Sequence, residues 1–210
     1  MNDGDTSRPT LFTIGHSDHD LPRFLSLLTK HGIDVVADVR SQPYSRFHAQ
    51  FNREILAENL NRAGMKYVFL GRELGARRVE RESYQNRQAR YDLVRRLPAF
   101  NDGLIRLRSE MESNKVAILC AEKDPITCHR TILICRHLRA EPVFIQHILE
   151  DGGIETNEQA ESRLLEETGL PAAHLFHSRA ELIEQAYDLQ SERIAYVESE
   201  TEPALTGGIA

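Results

Sequence analysis

Five short apolar runs separated by amphipathic segments constrain this chain more than any other feature. Leu11–Ile14, Asp34–Val39, Lys66–Leu70, Val116–Cys120 and Val143–Ile148 each have the length of a buried strand. Between them lie segments that read as helices: Leu21–His31, Arg53–Ala63, Gln85–Arg96, Asp102–Ser113 and Thr131–Leu138. The punctuation agrees with this reading. Asp20 stands where an N-cap belongs, Pro22 falls in the first turn, and Gly32 and Gly64 follow the ends of two helices. Beyond Gly153 the pattern predicts two further helices, near Glu158–Thr168 and Ser178–Glu192, with Pro171 between them. Strands alternating with helices specify an α/β fold. The expectation is a mostly parallel sheet of about five strands flanked by helices, with a C-terminal helical appendage. The corresponding divisions are a flexible N-terminus (1–9), an α/β domain (10–153), the appendage (154–197) and a flexible acidic tail (198–210).

No run approaches the roughly 18 consecutive apolar residues of a membrane helix, and Met1–Pro9 has no apolar centre of the signal-peptide kind. A cytoplasmic protein without a membrane partner is expected. Three cysteines do not make a disulfide framework and read as free thiols. The 210 residues carry a net charge of −6, unevenly placed. From Glu150 onward there are 14 acidic and 3 basic residues, which leaves residues 1–149 with an excess of positive charge. That excess is densest in Arg72, Arg77, Arg78, Arg81, Arg87, Arg90, Arg95 and Arg96. Such a strip reads either as a nucleic-acid surface or as a solvated helix face with ion pairs along it.

In parallel α/β sheets, ligands bind outside the carboxyl ends of the strands. Polar residues gather there in this chain: Gly15-His16-Ser17 after the first strand, then Asp38, Arg40 and Ser41 at the end of the second. Gly71-Arg72 follow the third, and Cys120, Glu122 and Cys128-His129-Arg130 follow the fourth. Cys128 opens a helix with Thr127 as its candidate cap, and a helix N-terminus favours an anion and lowers a thiol pKa. The candidate catalytic residues are Cys128, Asp38, His16 and Glu122. The candidate anion ligands are Arg40, Arg130, Ser17, Ser41, His129 and Arg72, the arginines through charge-assisted bonds. For each a structural role stands beside the functional one: Cys128 as a packing residue, Asp38 in a salt bridge, His16 as a hydrogen-bonded loop residue. Cys120 and Cys135 read as packing residues.

Other chemistries lack their patterns. Arg130 follows Cys128 by two residues, so the cysteine-phosphatase cradle is absent. Neither a Gly-x-Gly-x-x-Gly nor a Walker loop occurs, so no nucleotide cofactor is expected. Seven residues separate Cys120 from Cys128 with no second cysteine pair, so the spacing does not mark a structural zinc site. A mixed site of Cys128, His129, His16 and Asp38 is not supported by spacing either.

Four ordered motifs carry a family resemblance. They are Thr13-Ile14-Gly15-His16-Ser17; Asp38-Val39-Arg40-Ser41 with Pro43, Ser45 and Phe51; Leu70-Gly71-Arg72-Glu73-Leu74-Gly75; and Leu119-Cys120-Ala121-Glu122-Lys123-Asp124-Pro125 with Cys128-His129-Arg130. In this order the chain resembles the domain of unknown function 488 family, over roughly Thr10 to Gly153. The resemblance implies an α/β fold and a shared pocket, and no substrate. Two functions are then expected. One is an enzyme or ligand-binding protein with a pocket for phosphate, nucleotide or nucleic acid at the strand ends, an enzyme there being a hydrolase or transferase. The other is a non-catalytic nucleic-acid-binding module using segment 72–96, which the acidic tail would mask.

Overall fold

The computed structural model describes residues 8–199. The sequence readings for 1–7 and 200–210 lie outside the described residues. In chain order the elements are β1 (Thr10–Gly15), α1 (Leu21–Lys30), β2 (Val35–Asp38), α2 (Arg53–Arg62), β3 (Lys66–Phe69), α3 (Gly71–Leu74), β4 (Tyr84–Gln85) and β5 (Gln88–Ala89). There follow α4 (Tyr91–Val94), α5 (Pro98–Met111), β6 (Val116–Cys120), a π-helical turn (Arg130–Cys135) leading into α6 (Arg136–Leu138), β7 (Phe144–Ile148), β8 (Ile154–Thr156), α7 (Asn157–Thr168) and α8 (Arg179–Ile194).

The five apolar runs become five parallel strands because runs rich in valine, isoleucine and leucine satisfy a sheet buried on both faces. The order is β3-β2-β6-β1-β7-β8. The sixth strand was not expected. Ile154–Thr156 pairs antiparallel with β7 and closes that edge. Thr156 then caps α7 through a capping box with Gln159, and a second capping box joins Ser178 to Glu181 at the start of α8.

Two helical layers cover the sheet. On one face, Phe24, Leu27 and Leu28 of α1 and Leu56 and Leu60 of α2 pack on Ile14, Val36 and Leu119. On the other, Phe100, Leu104 and Leu107 of α5 and Ile132–Cys135 pack on Val35, Ala37, Val116 and Ile118. Leu164 and Leu165 of α7 and Leu182, Ala186 and Tyr187 of α8 join this second core.

The layers place the site. β6 lies between β2 and β1. The chain leaves β1 and β2 toward α1 and α2, but leaves β6 toward the opposite face. Neighbouring connections therefore diverge at the carboxyl end of β6, which is the crevice where open parallel sheets bind ligands.

Two expected helices differ. Gln85–Arg96 is a β4–β5 hairpin followed by the single turn α4. Asn86 and Arg87 take positive φ (50° and 67°), the conformation of a two-residue hairpin turn. The segment Thr131–Leu138 begins as the π turn, which packs against α8 and the core. Among the described residues no helix is long and apolar enough to cross a membrane.

One buried histidine gives a testable pH dependence. His147 on β7 is fully buried, with Nδ1 2.9 Å from Thr13 Oγ1. Burial, aided by Arg130, lowers its pKa to about 3. The unfolded chain takes up this proton near pH 6.5 and the folded chain does not. The contribution of His147 is therefore complete above about pH 6.5 and falls as the pH drops toward 3, by about 1.4 kcal/mol per unit. Denaturant titrations at pH 7 and pH 5 should show this slope, and it should flatten in His147→Gln.

Candidate functional site at the carboxyl ends of β1, β2 and β6

Asp38 ends β2 and is fully buried. Its carboxylate accepts from Arg40 Nε at 2.9 Å, from the Arg40 backbone N–H at 3.0 Å and from the Tyr67 hydroxyl at 2.9 Å, and Arg40 Nη2 lies 2.5 Å from Oδ2. Nη2 also donates to the Phe51 carbonyl. Nη1 of Arg40 has no hydrogen-bond partner among the described residues. The Asp38 contacts outweigh the desolvation of Arg40 and raise its pKa.

His16 follows β1 and stacks on Phe51, with ring centroids 4.4 Å apart. Its backbone N–H donates to the Cys120 carbonyl, and that of Ser17 to Ala121, so the ends of β1 and β6 stay zipped together. His16 Nδ1 lies 3.1 Å from the Ser17 carbonyl. A carbonyl only accepts, so Nδ1 carries the proton and Nε2 keeps a lone pair. Burial, then the nearby Arg40 charge, lowers the His16 pKa to about 4, and the ring is neutral at pH 7. Ser17 sits at φ 40°, a left-handed conformation that a serine seldom adopts.

The second group gathers around Cys120. A short 3-10 turn, Pro125–Thr127, folds the chain back after β6, and its cap is Asp124. Thr127, expected to be a helix cap, lies inside this turn. Cys128 takes the capping place. It is extended, its carbonyl accepts from Thr131 and Ile132, and its sulfur accepts from the Arg130 N–H at 3.5 Å. The thiols of Cys120 and Cys128 both reach Glu122 Oε2, at 2.8 and 3.0 Å. His129 Nδ1 lies 3.4 Å from Cys120 Sγ and 3.9 Å from Cys128 Sγ. His129 Nε2 lies 3.1 Å from the Val39 carbonyl. Val39 stands between Asp38 and Arg40, so this bond joins the two groups.

The electrostatics divide the thiols. Burial opposes ionisation of both. For Cys128 it is outweighed by hydrogen bonding from Cys120 and by the charges of Arg130 and His129, which bring its pKa down to about 6. Cys120 is pushed up, by burial and then by Cys128. Burial also works against Glu122, but hydrogen bonding from Cys120 and the charge of His129 hold its carboxyl at about 2. Burial pulls His129 down, but the bond to Cys128 together with the negative charges of Cys128 and Glu122 and the Val39 carbonyl raises its pKa.

Arg130 was expected to hold an anion. Its guanidinium is buried and donates to the carbonyls of Glu122 (2.6 Å) and Lys123 (3.1 Å) and to Thr13 Oγ1 (3.3 Å). It fixes the loop after β6. Gly15 is required by the same close approach, since a Cβ there would lie 1.9 Å from the Glu122 carbonyl oxygen. Ser41 accepts from the Arg77 N–H and anchors the loop after α3. Arg72 is exposed and lines a separate cavity of about 490 Å³ with Arg53, Tyr67 and Arg106. The structure thus brings together His16, Asp38, Arg40, Glu122, Cys128 and His129, and leaves Ser41 and Arg72 outside. Cys120, read from sequence as a packing residue, is at the centre. A cavity of about 780 Å³ opens on the Glu122 side, lined also by Lys123, Thr127, Leu149, Asp151 and Arg163.

The arginine strip is largely occupied by protein partners. Arg78 is buried against Glu80, Arg90 pairs with Asp92, and Arg81 pairs with Glu198 at 2.7 Å. Arg87 donates to the Glu198 carbonyl, and Arg77 lies over the Tyr196 ring.

Fold and site define a doubly wound α/β protein with a thiol–imidazole–carboxylate cluster at its switch point. The family model described as "Domain of unknown function DUF488" matches residues 20–136, more than half of the chain, and the chain belongs to that family. The match includes Asp38, Arg40 and the whole cluster, and begins after His16. No curated protein matches the chain. Among solved structures, the crystal structure of a candidate phosphatase (DUF442) from Shewanella putrefaciens CN-32 is similar at a TM-score of 0.38 and 11% identity, covering 90% of this chain and 91% of that one. A likeness of this degree carries no argument about activity.

Proposed function

We propose that this chain binds and transforms a small anionic substrate, such as a phosphorylated one, at the carboxyl ends of β1, β2 and β6, as a hydrolase or transferase. The observation that carries the reading is that six chemically capable side chains lie at the carboxyl ends of three neighbouring strands and in the turn after β6, at the switch point of the sheet, with His129 bonded to the Val39 carbonyl between Asp38 and Arg40. Arg40 takes the anion through Nη1, and Asp38 positions Arg40 by occupying its other two nitrogens. His16, neutral with a free Nε2, accepts or returns a proton. Cys120, Glu122, Cys128 and His129 form the electron-rich reactive centre. The alternative of a nucleic-acid module is less favoured, because Arg78, Arg81 and Arg90 of the strip already pair with carboxylates of the chain.

Inorganic phosphate is the simplest probe. It should raise the melting temperature of the full chain, since a ligand that binds only the folded state stabilises it by mass action. Arg40→Lys keeps a cation beside Asp38 but loses the planar fork, and should weaken the response about tenfold. A melting temperature that phosphate, sulfate and nucleoside monophosphates all leave unchanged overturns the reading.

A further inference from the structure

Resting on the reading of this cluster as the reactive centre, we propose that Cys120, Cys128, His129 and Glu122 form a site for one divalent transition-metal ion, zinc foremost. The four donor atoms lie within 4.8 Å of one another. A tetrahedral zinc ion with bonds of about 2.0–2.3 Å separates its donors by about 3.3–3.8 Å. Of the separations of His129 Nδ1 from the two sulfurs, 3.4 Å lies inside that range and 3.9 Å just above it. Those of Glu122 Oε2, 2.8 and 3.0 Å, require the carboxylate to withdraw by about half an ångström. Glu122 is the exposed member of the set, so it is the donor with room to move.

The imidazole is oriented for this task. Its Nε2 faces the Val39 carbonyl, which only accepts, so Nε2 holds a proton in either charge state, and once the second proton leaves, Nδ1 turns a lone pair toward the sulfurs. A metal-binding histidine is characteristically held this way, by its second nitrogen on a carbonyl. The donor backbone is equally fixed. The Cys120 carbonyl is bonded by His16, the Glu122 carbonyl by Arg130, and Gly15 leaves space for that carbonyl. Two thiolates, an imidazole and one carboxylate are a soft set, suited to zinc rather than to magnesium or calcium. Binding releases to solvent the protons that the thiols and the imidazole still hold, and the ion balances charge that the cluster otherwise concentrates in a buried space.

The ion also reconciles the cluster with an anionic substrate. Cys128 is 1% exposed, so a substrate atom does not reach its sulfur directly. The ion is reached from the Glu122 side, where the cavity of about 780 Å³ opens. With Glu122 withdrawn, the three buried donors would leave a fourth position for water or substrate, as catalytic zinc sites do.

The test uses the full chain with its thiols reduced. Cobalt(II) should bind at one equivalent, with thiolate-to-cobalt charge transfer and the intense visible bands of a tetrahedral ion, and zinc should bleach both. Cys128→Ser should weaken binding by at least about 100-fold, the upper end of what loss of an outer-shell partner costs. Cys135→Ala, which removes the cysteine outside the cluster, should leave the spectrum unchanged. Should Cys128→Ser fail to fold, competition of the unaltered chain with a chromophoric chelator for zinc decides the matter alone. Absence of thiolate–cobalt bands, together with failure to retain zinc against the chelator, overturns the site. The anion reading is judged separately by the phosphate response. Bands without that response uphold the metal and remove the anion, and the reverse outcome removes the metal and leaves the anion.

Discussion

Asp38→Ala is expected to lower the unfolding free energy by about 3–5 kcal/mol, the range for breaking a buried ion pair from one side. The substitution leaves Arg40, itself 6% exposed, with a buried guanidinium whose Nε and part of Nη2 have lost their acceptor. It also strands the Tyr67 hydroxyl. Arg40 keeps only the Phe51 carbonyl. Because Val39, between the two residues, accepts from His129, the disturbance should reach the thiol cluster. A urea titration reads the effect as a shift in midpoint at unchanged slope. Asp38→Asn, which keeps the shape and one of the two acceptor oxygens, should cost less. A loss below about 1 kcal/mol for Asp38→Ala, typical of an exposed pair, would contradict the buried geometry.

Arg130→Met is the second substitution with a large expected effect. A methionine fills much of the volume but donates nothing, leaving the Glu122 and Lys123 carbonyls short of partners at about 1–3 kcal/mol each. Removing a buried cation that lacks a carboxylate partner returns part of this, so a net loss of about 2–4 kcal/mol is expected. Stability is the lesser reading. Arg130 holds the Glu122 backbone in place beside the cluster, so the variant should bind cobalt more weakly even at temperatures where it is fully folded. A variant that melts lower yet binds cobalt as the unaltered chain does would show that Arg130 serves the fold alone.

The sheet was legible because its signal is local. Each parallel strand is an apolar run, and the gap to the next run leaves room for a crossover. β8 was missed because Ile154-Glu155-Thr156 is three residues long and borrows its strand character from β7. Gln85–Arg96 resembled a helix in composition, but positive φ at Asn86 and Arg87 and pairing to the chain after α8 make a hairpin. In the candidate site, the strand-end rule pointed to His16, Asp38, Arg40, Glu122, Cys128 and His129, which the fold places at the carboxyl ends of β1, β2 and β6 or in the turn that follows. It did not bring Cys120 beside Cys128, because a seven-residue gap measures nothing about a chain that a 3-10 turn folds back on itself; Cys120 is buried in the core, as read, and also borders the cluster. The alternation along β6 held a clue. Val116, Ile118 and Cys120 share the face that later receives Cys128. For Arg130 the sequence shows a charge but not its burial, and burial decides whether a guanidinium faces ligand or protein.

The most direct measurement is a two-dimensional amide NMR titration of the full chain with inorganic phosphate. The account predicts shifts concentrated at Gly15–Ser17, Asp38–Ser41 and Ala121–Arg130, with Gln85–Arg96 unmoved. Shifts concentrated instead on the arginine-rich hairpin, or spread evenly over the surface, would contradict a site at the carboxyl end of β6.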